Sequence, residues 1–143
     1  RSCGIWSLWC RILIRREKMG RGIRIDVEGI RFLAELNDSP LAEAIVQQLP
    51  TQVRMSRWGE EYYGSVGLDA ENGPEAVEVV EVGDLAYWPP GDALCIFFGP
   101  TPASTGDEPR AASAVTVIGR IISDNVKKLR TTSQSVLARL QAE

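Results

Sequence analysis

The sequence predicts a mainly β protein, a closed β-barrel of about eight strands with one main α-helix and a short helical turn. Three observations predict this fold class. The chain contains many short alternating or apolar runs bounded by Gly or Pro, a single stretch has a clear helical start, and 143 residues with 44% hydrophobic content suffice for one core. A closed barrel is favoured because closure removes the exposed strand edges of an open sheet.

The first elements are predicted to be a hairpin followed by the helix. Residues 22–27 and 30–35 are two extended runs separated by the turn sequence Glu28-Gly29. Ser39 then suits a helix N-cap and Pro40 the first helical position. Apolar residues recur on one face of this helix until Pro50 ends it.

A second hairpin and a loop follow the helix. Residues 51–58 and 60–66 carry β-branched or aromatic residues at alternating positions and pivot at Gly59. The Asn-Gly-Pro content of residues 69–74 indicates a loop, and residues 76–82 predict a strand only weakly, because their alternation does not define which face is buried.

The C-terminal half predicts the strands that line the core. Residues 85–88, 93–98 and 114–122 are apolar runs bounded by Gly or Pro. Between the last two, residues 100–113 contain three prolines and predict a long surface loop. Residues 124–130 could form one helical turn, and the pattern of residues 135–141 fits either a helix end or a closing strand.

Residues 1–18 differ from the rest of the chain. They carry a net charge of +4 against −7 for residues 19–143, and they are rich in Trp. Their apolar part is too short to span a bilayer and their charges lie on the wrong side for a secretory signal. We therefore expect an extension at residues 1–18 and one domain at residues 19–143. The alternative is an amphipathic arm that docks on a membrane or partner through Trp6, Leu8 and Trp9.

Charge and residue usage exclude several function classes. An acidic domain repels a phosphate backbone, so nucleic acid is not an expected partner, and no membrane is expected either. The absence of His excludes Ser-His-Asp triads, Cys-His pairs and His-bearing zinc sites. The spacing of Cys3, Cys10 and Cys95 matches no metal or redox motif, which favours a reducing cytoplasm and a buried, structural Cys95. No metal and no cofactor are expected.

Three blocks resemble a known family. The segments GDLAYWPPGDALCIFFGPTP at residues 83–102, RAASAVTVIGRI at residues 110–121 and WGEEYY at residues 58–63 resemble small bacterial and archaeal cyclophilin-like proteins of uncharacterised function. The resemblance implies a cyclophilin-like barrel from about Met19 to the C-terminus, and it implies that residues 135–141 form a strand.

A more distant similarity connects the chain to the cyclophilin peptidyl-prolyl isomerases. ALCIFFG at residues 93–99 and VIGRI at residues 117–121 look like two of their strands. The catalytic arginine of that family would fall at Arg54 or Arg57, but the phenylalanine-histidine-arginine motif, the glutamine-glycine-glycine block and the active-site histidine are all missing. The resemblance therefore implies the fold more strongly than the activity.

The sequence predicts a groove beside the strand that contains Phe97 and Phe98. Prolyl isomerisation needs an apolar pocket and a hydrogen-bond donor, so a protein without His could perform it. Arg54 or Arg57 would be the catalytic donor, and the predicted ligand contacts are Tyr63, Trp88, Phe97, Phe98 and Arg110. Glu60 and Glu61 are interpreted as solvated, because adjacent strand residues point to opposite faces and their carboxylates would not converge on one substrate.

Three hypotheses about function follow. The first is a binding module for a peptide or small molecule that lacks the standard isomerase residues. The second is a divergent peptidyl-prolyl cis-trans isomerase, and the third is an interaction protein that uses its N-terminal apolar arm.

Overall fold

The computed structural model describes residues 21–143, which form a ring of eight strands with a ninth attached to its outside. The strands are β1 (Arg21–Val27), β2 (Ile30–Leu36), β3 (Thr51–Arg57), β4 (Glu61–Ser65), β5 (Val77–Val79), β6 (Asp84–Trp88), β7 (Ala93–Phe97), β8 (Arg110–Ile121) and β9 (Ser135–Ala142). One α-helix, α1 (Pro40–Gln48), and two 3₁₀ helices, Pro89–Gly91 and Val126–Thr131, complete the described elements. The predicted fold class is confirmed.

All strand pairs in the ring are antiparallel, in the order β2-β1-β9-β3-β4-β7-β6-β8. The ring closes where β8 pairs with β2, through the register Ala34 to Ile121, Glu35 to Arg120 and Leu36 to Gly119. The side-chain amide of Asn37 extends this seam by donating to the Val117 carbonyl oxygen at 3.1 Å. The two ends of the sheet therefore protect each other from further pairing.

The helix begins and ends as its sequence predicts. The Ser39 hydroxyl accepts a hydrogen bond from the Ala42 amide at 3.2 Å, and Pro40 occupies the first helical position. Leu41, Ala42 and Ile45 pack into the main core together with the inward side chains of the barrel strands. Pro50, joined to Leu49 by a cis peptide bond, leads directly into β3.

A second, smaller hydrophobic cluster lies on the other face of β6, β7 and β8. We call it the outer cluster; its buried members are Val80, Ala86, Cys95, Phe97, Ala111 and Val115. Phe98 belongs instead to the main core. The two neighbouring phenylalanines thus face opposite sides of the sheet, and both rings are fully buried.

Two segments differ from their sequence predictions. Only Val77–Val79 of the predicted strand at residues 76–82 is a strand, and its side chains are exposed because it lies outside the ring. β8 begins at Arg110, inside the predicted loop at residues 100–113, because its first residues pair with β5 and cover the outer cluster. Residues 135–141 are a strand, as the resemblance implies.

The predicted extension at residues 1–18, with its candidate docking residues, lies outside the described residues. Within residues 21–143, no helix has the length and apolar character needed to cross a membrane.

Candidate functional site

An open cleft of about 240 Å³ lies on the outer face of the barrel, beside the outer cluster. Three neighbouring regions of the sheet form it: the β3–β4 hairpin, the end of β6 and the start of β8. Its lining residues are Trp58, Glu61, Tyr63, Trp88, Ala111 and Ala112. The cleft is mostly apolar, with one carboxyl group among aromatic and alanine side chains.

The turn between β3 and β4 fixes two of these residues. The Trp58 amide donates to the Glu61 carbonyl oxygen at 2.8 Å, and Gly59 adopts a positive φ of 63° that suits glycine. A Cβ at Gly59 would also lie only 2.7 Å from Cδ of Pro102. The turn therefore packs directly against the loop that follows β7, and this contact fixes the positions of Trp58 and Glu61.

Tyr63 and Trp88 form two walls that meet at a steep angle. Their ring centroids are 6.4 Å apart and their planes are inclined by 75°. The Trp88 indole nitrogen donates to the Ser113 hydroxyl at 2.8 Å, and Gly91 packs so closely behind the ring that a Cβ there would lie 2.8 Å from it. Trp88 is thus held from behind, whereas the Tyr63 side of the corner is open, with Tyr63 38% exposed.

Glu61 is the polar group of the cleft. It is only 5% exposed, and burial raises the pKa of its carboxyl from 4.5 to about 7, against a smaller lowering by a hydrogen bond from the Cys95 thiol. Burial, together with the neighbouring Glu61 carboxylate, raises the pKa of the Cys95 thiol well above 9. Cys95 is a free, buried thiol, as the sequence predicts, and it is unreactive in this setting.

Glu60, just before β4, and Glu61, its first residue, have different surroundings. Glu60 is paired with the Arg130 guanidinium at 3.0 Å. Glu61 is instead buried in the cleft, so its interpretation as a solvated carboxylate is wrong. The six lining residues of the cleft include no basic side chain to balance its charge.

The two candidate catalytic arginines lie apart from the cleft lining. Arg54 is an exposed residue of β3. The Arg57 guanidinium donates to three backbone carbonyl oxygens, at Gly59 (2.8 Å), Arg130 (3.2 Å) and Thr132 (3.4 Å). It also lies 5.1 Å from the centre of the Phe98 ring. These contacts give Arg57 a role in tying the β3–β4 turn to the segment before β9.

The predicted ligand contacts divide into two groups. Tyr63 and Trp88 lie together in the cleft, whereas Phe97 and Phe98 are buried under the protein's own side chains. Arg110 lies at the start of β8, where it pairs with Glu108 at 3.1 Å and Glu78 at 3.9 Å. Arg110, a predicted ligand contact, is therefore engaged by two carboxylates of the protein and is not among the cleft-lining residues.

Sequence reasoning missed Trp58 and Glu61. A signal for Glu61 was present, because Glu61 and Tyr63 are two residues apart on one strand and must share a face. Among residues 21–143, no three acidic or cysteine side chains converge to form a metal site.

Comparisons with known proteins agree with the barrel architecture. A protein-family model described as cyclophilin-like matches residues 21–139. The solution structure of a hypothetical protein from Archaeoglobus fulgidus is similar, with 35% sequence identity and a TM-score of 0.71; the match covers 86% of this chain and 95% of that one. No curated protein matches the chain.

Proposed function

Because the chain belongs to the cyclophilin-like family, we propose that it is a binding module whose outer cleft holds a peptide or small-molecule ligand. One observation carries this proposal: an open, aromatic-walled cleft contains a nearly buried carboxyl group. Apolar walls with one well-placed polar group are typical of ligand sites, and burying a carboxyl group costs free energy unless an interaction offsets the lost hydration.

The dimensions of the cleft restrict its ligand. A volume of about 240 Å³ lies just below the range of roughly 300–1,000 Å³ that is common for drug-sized ligands. The cleft therefore suits one side chain of a peptide or one compact organic molecule. We propose the cytoplasm as the place where this occurs, on the basis of cysteine usage, since the buried Cys95 is a free thiol.

Binding accounts for these features better than prolyl isomerisation does. An isomerase needs a hydrogen-bond donor directed at the amide of a bound proline. Arg57 directs its guanidinium at three backbone carbonyl groups, and Arg54 is outside the cleft lining. The cleft lining contains no arginine, and its available side-chain donors are the Tyr63 hydroxyl, the Trp58 indole N–H and the neutral form of Glu61.

Blocking the cleft is expected to abolish ligand binding without unfolding the protein. Ala112 is an exposed lining residue, so Ala112→Trp fills the cleft from its rim. Ala142→Trp places the same side chain at an exposed position at the end of β9 and serves as the matched control. Binding is measured from the indole N–H signals of Trp58 and Trp88 in NMR titrations. The probes are the peptide Ala-Ala-Pro-Phe, indole, cyclohexanol and choline.

At least one probe should shift both indole signals of the wild type and of Ala142→Trp, and its affinity should fall at least tenfold in Ala112→Trp. The proposal fails if no probe shifts these signals, or if the shifts persist in Ala112→Trp. The cis/trans exchange rate of the Ala-Pro bond is recorded in the same samples and should stay unchanged. Faster exchange at micromolar protein would favour the isomerase alternative.

A further inference from the structure

We propose that the cleft binds a small organic cation through a methylated ammonium group, held by the aromatic rings of Trp58, Tyr63 and Trp88 and by the carboxylate of Glu61. This inference rests on the proposed binding function and specifies its ligand class. It follows from the shape of the aromatic walls, from the missing countercharge of Glu61 and from the size of the cleft.

The aromatic walls have the geometry that a cation needs. Ring faces carry partial negative charge, so a cation is attracted when it lies within about 6 Å of a ring centre. Tyr63 and Trp88 pack edge to face, with their planes inclined by 75° and their centroids 6.4 Å apart, so a compact cation would lie against the ring face that this contact leaves free. Trp58 supplies a third aromatic side chain to the same lining. Methyl groups on the cation would fill the apolar space between the rings.

Glu61 supplies the charge that such a ligand would neutralise. The other five lining residues are uncharged, and Glu60, the neighbour of Glu61 in sequence, is paired with Arg130. A buried carboxylate is stabilised when an opposite charge lies close to it. A bound ammonium group would supply this charge, whereas an apolar ligand would cover Glu61 and leave its carboxylate less solvated.

Few other titratable groups face Glu61 to complicate this charge balance. Cys95 of β7 is its hydrogen-bond partner and stays a neutral thiol, since its own pKa is raised. Tyr63 shares its strand and the cleft. β6 contributes Trp88, the β3–β4 turn contributes Trp58, and β8 contributes Ala111 and Ala112, none of which titrates. Arg110, the basic residue of β8 that directly precedes Ala111 and Ala112, is paired with Glu108.

The test compares choline with 3,3-dimethyl-1-butanol, a neutral molecule of the same shape. Choline is expected to bind the 143-residue chain at least about tenfold more tightly than the alcohol at pH 8.5, by calorimetry or by NMR titration. Because the carboxyl of Glu61 titrates near pH 7, choline affinity should fall at least about sevenfold and at most about 30-fold between pH 8.5 and pH 5.5. The affinity of the alcohol should not fall over this range.

Two variants distinguish the contribution of the Glu61 charge to choline binding from that of the aromatic rings. Glu61→Gln should remove the preference for choline over the alcohol and the pH dependence of choline binding. Tyr63→Leu keeps an apolar side chain at an exposed position, so it should weaken choline about fivefold and affect the alcohol less. If Glu61→Gln does not fold, the Tyr63→Leu comparison and the wild-type pH series still decide the question.

Equal or tighter binding of the alcohol at pH 8.5 would overturn the ammonium proposal and leave the binding function standing. The same holds if only indole, cyclohexanol or the peptide binds. Failure of every probe in the wild type would overturn both proposals together, so the two failures are distinguishable.

Discussion

Replacing Glu61 with glutamine is expected to remove a large pH dependence from the stability of the protein. Burial raises the pKa of this carboxyl from 4.5 to about 7 in the folded state, so the folded chain binds a proton more tightly than the unfolded chain. Stability must therefore fall as the pH rises from 4.5 to 7 and level off above that range. The expected loss in the wild type between pH 4.5 and pH 8 is about 3 kcal/mol from this group.

Urea unfolding at pH 4.5, 6 and 8 measures this effect. As the pH rises from 4.5 to 8, the wild type should lose about 3 kcal/mol of unfolding free energy relative to Glu61→Gln. Glu60→Gln is the matched control, since Glu60 is the adjacent carboxylate and forms a partly exposed ion pair with Arg130. The change in unfolding free energy caused by Glu60→Gln should stay within about 1 kcal/mol across the series. Parallel pH profiles for Glu61→Gln and the wild type would contradict the account of Glu61.

Adding one methyl group at Gly119 is expected to open the barrel. Gly119 lies on β8 opposite Leu36 of β2, in the three-residue register that closes the ring. A Cβ at this position would overlap the backbone carbonyl oxygen of Glu35 and would lie 2.8 Å from Cδ2 of Leu36. Relief of the overlap requires the two strands to separate, so Gly119→Ala should lower the unfolding free energy by about 3 kcal/mol or more.

Gly73→Ala is the control for this substitution. A Cβ at Gly73 would lie 3.6 Å from Cγ2 of Thr116, which is an ordinary contact, and its φ is not positive. Its effect on stability should lie within about 1 kcal/mol, and a small gain is reasonable because alanine restricts the unfolded chain. Urea unfolding followed by circular dichroism measures both variants. Equal stabilities for the two would contradict the seam described between β2 and β8.

Most of the barrel could be predicted because its signals are local. The alternation of residues 22–27, the Glu28-Gly29 turn and the Ser39-Pro40 helix start are each defined by a few neighbouring residues. The strand at residues 76–82 was overpredicted because most of its valines have no core to bury them: Val77, Val79 and Val82 are exposed, and only Val80 packs into the outer cluster. The start of β8 was missed because its pairing with β5 depends on tertiary contacts.

The candidate site was only partly predictable. Aromatic side chains near the Phe97 strand indicated a pocket, and Tyr63 and Trp88 do lie in one cleft. The contact between Glu61 and Cys95 depends on the register of β4 with β7, where Tyr63 pairs with Cys95, and no local pattern specifies that register. The hydrogen bonds from Arg57 to the carbonyl oxygens of Arg130 and Thr132 join distant parts of the chain, so no local pattern predicts them.

A carbon-13 NMR titration of the Glu61 carboxyl, in the free protein and with saturating choline, tests whether this buried acid meets a cation in the cleft. The pKa should be about 7 in the free protein and should decrease clearly when choline is bound. A pKa near 4.5 in the free protein, or an increase on adding choline, would contradict the proposed role of Glu61.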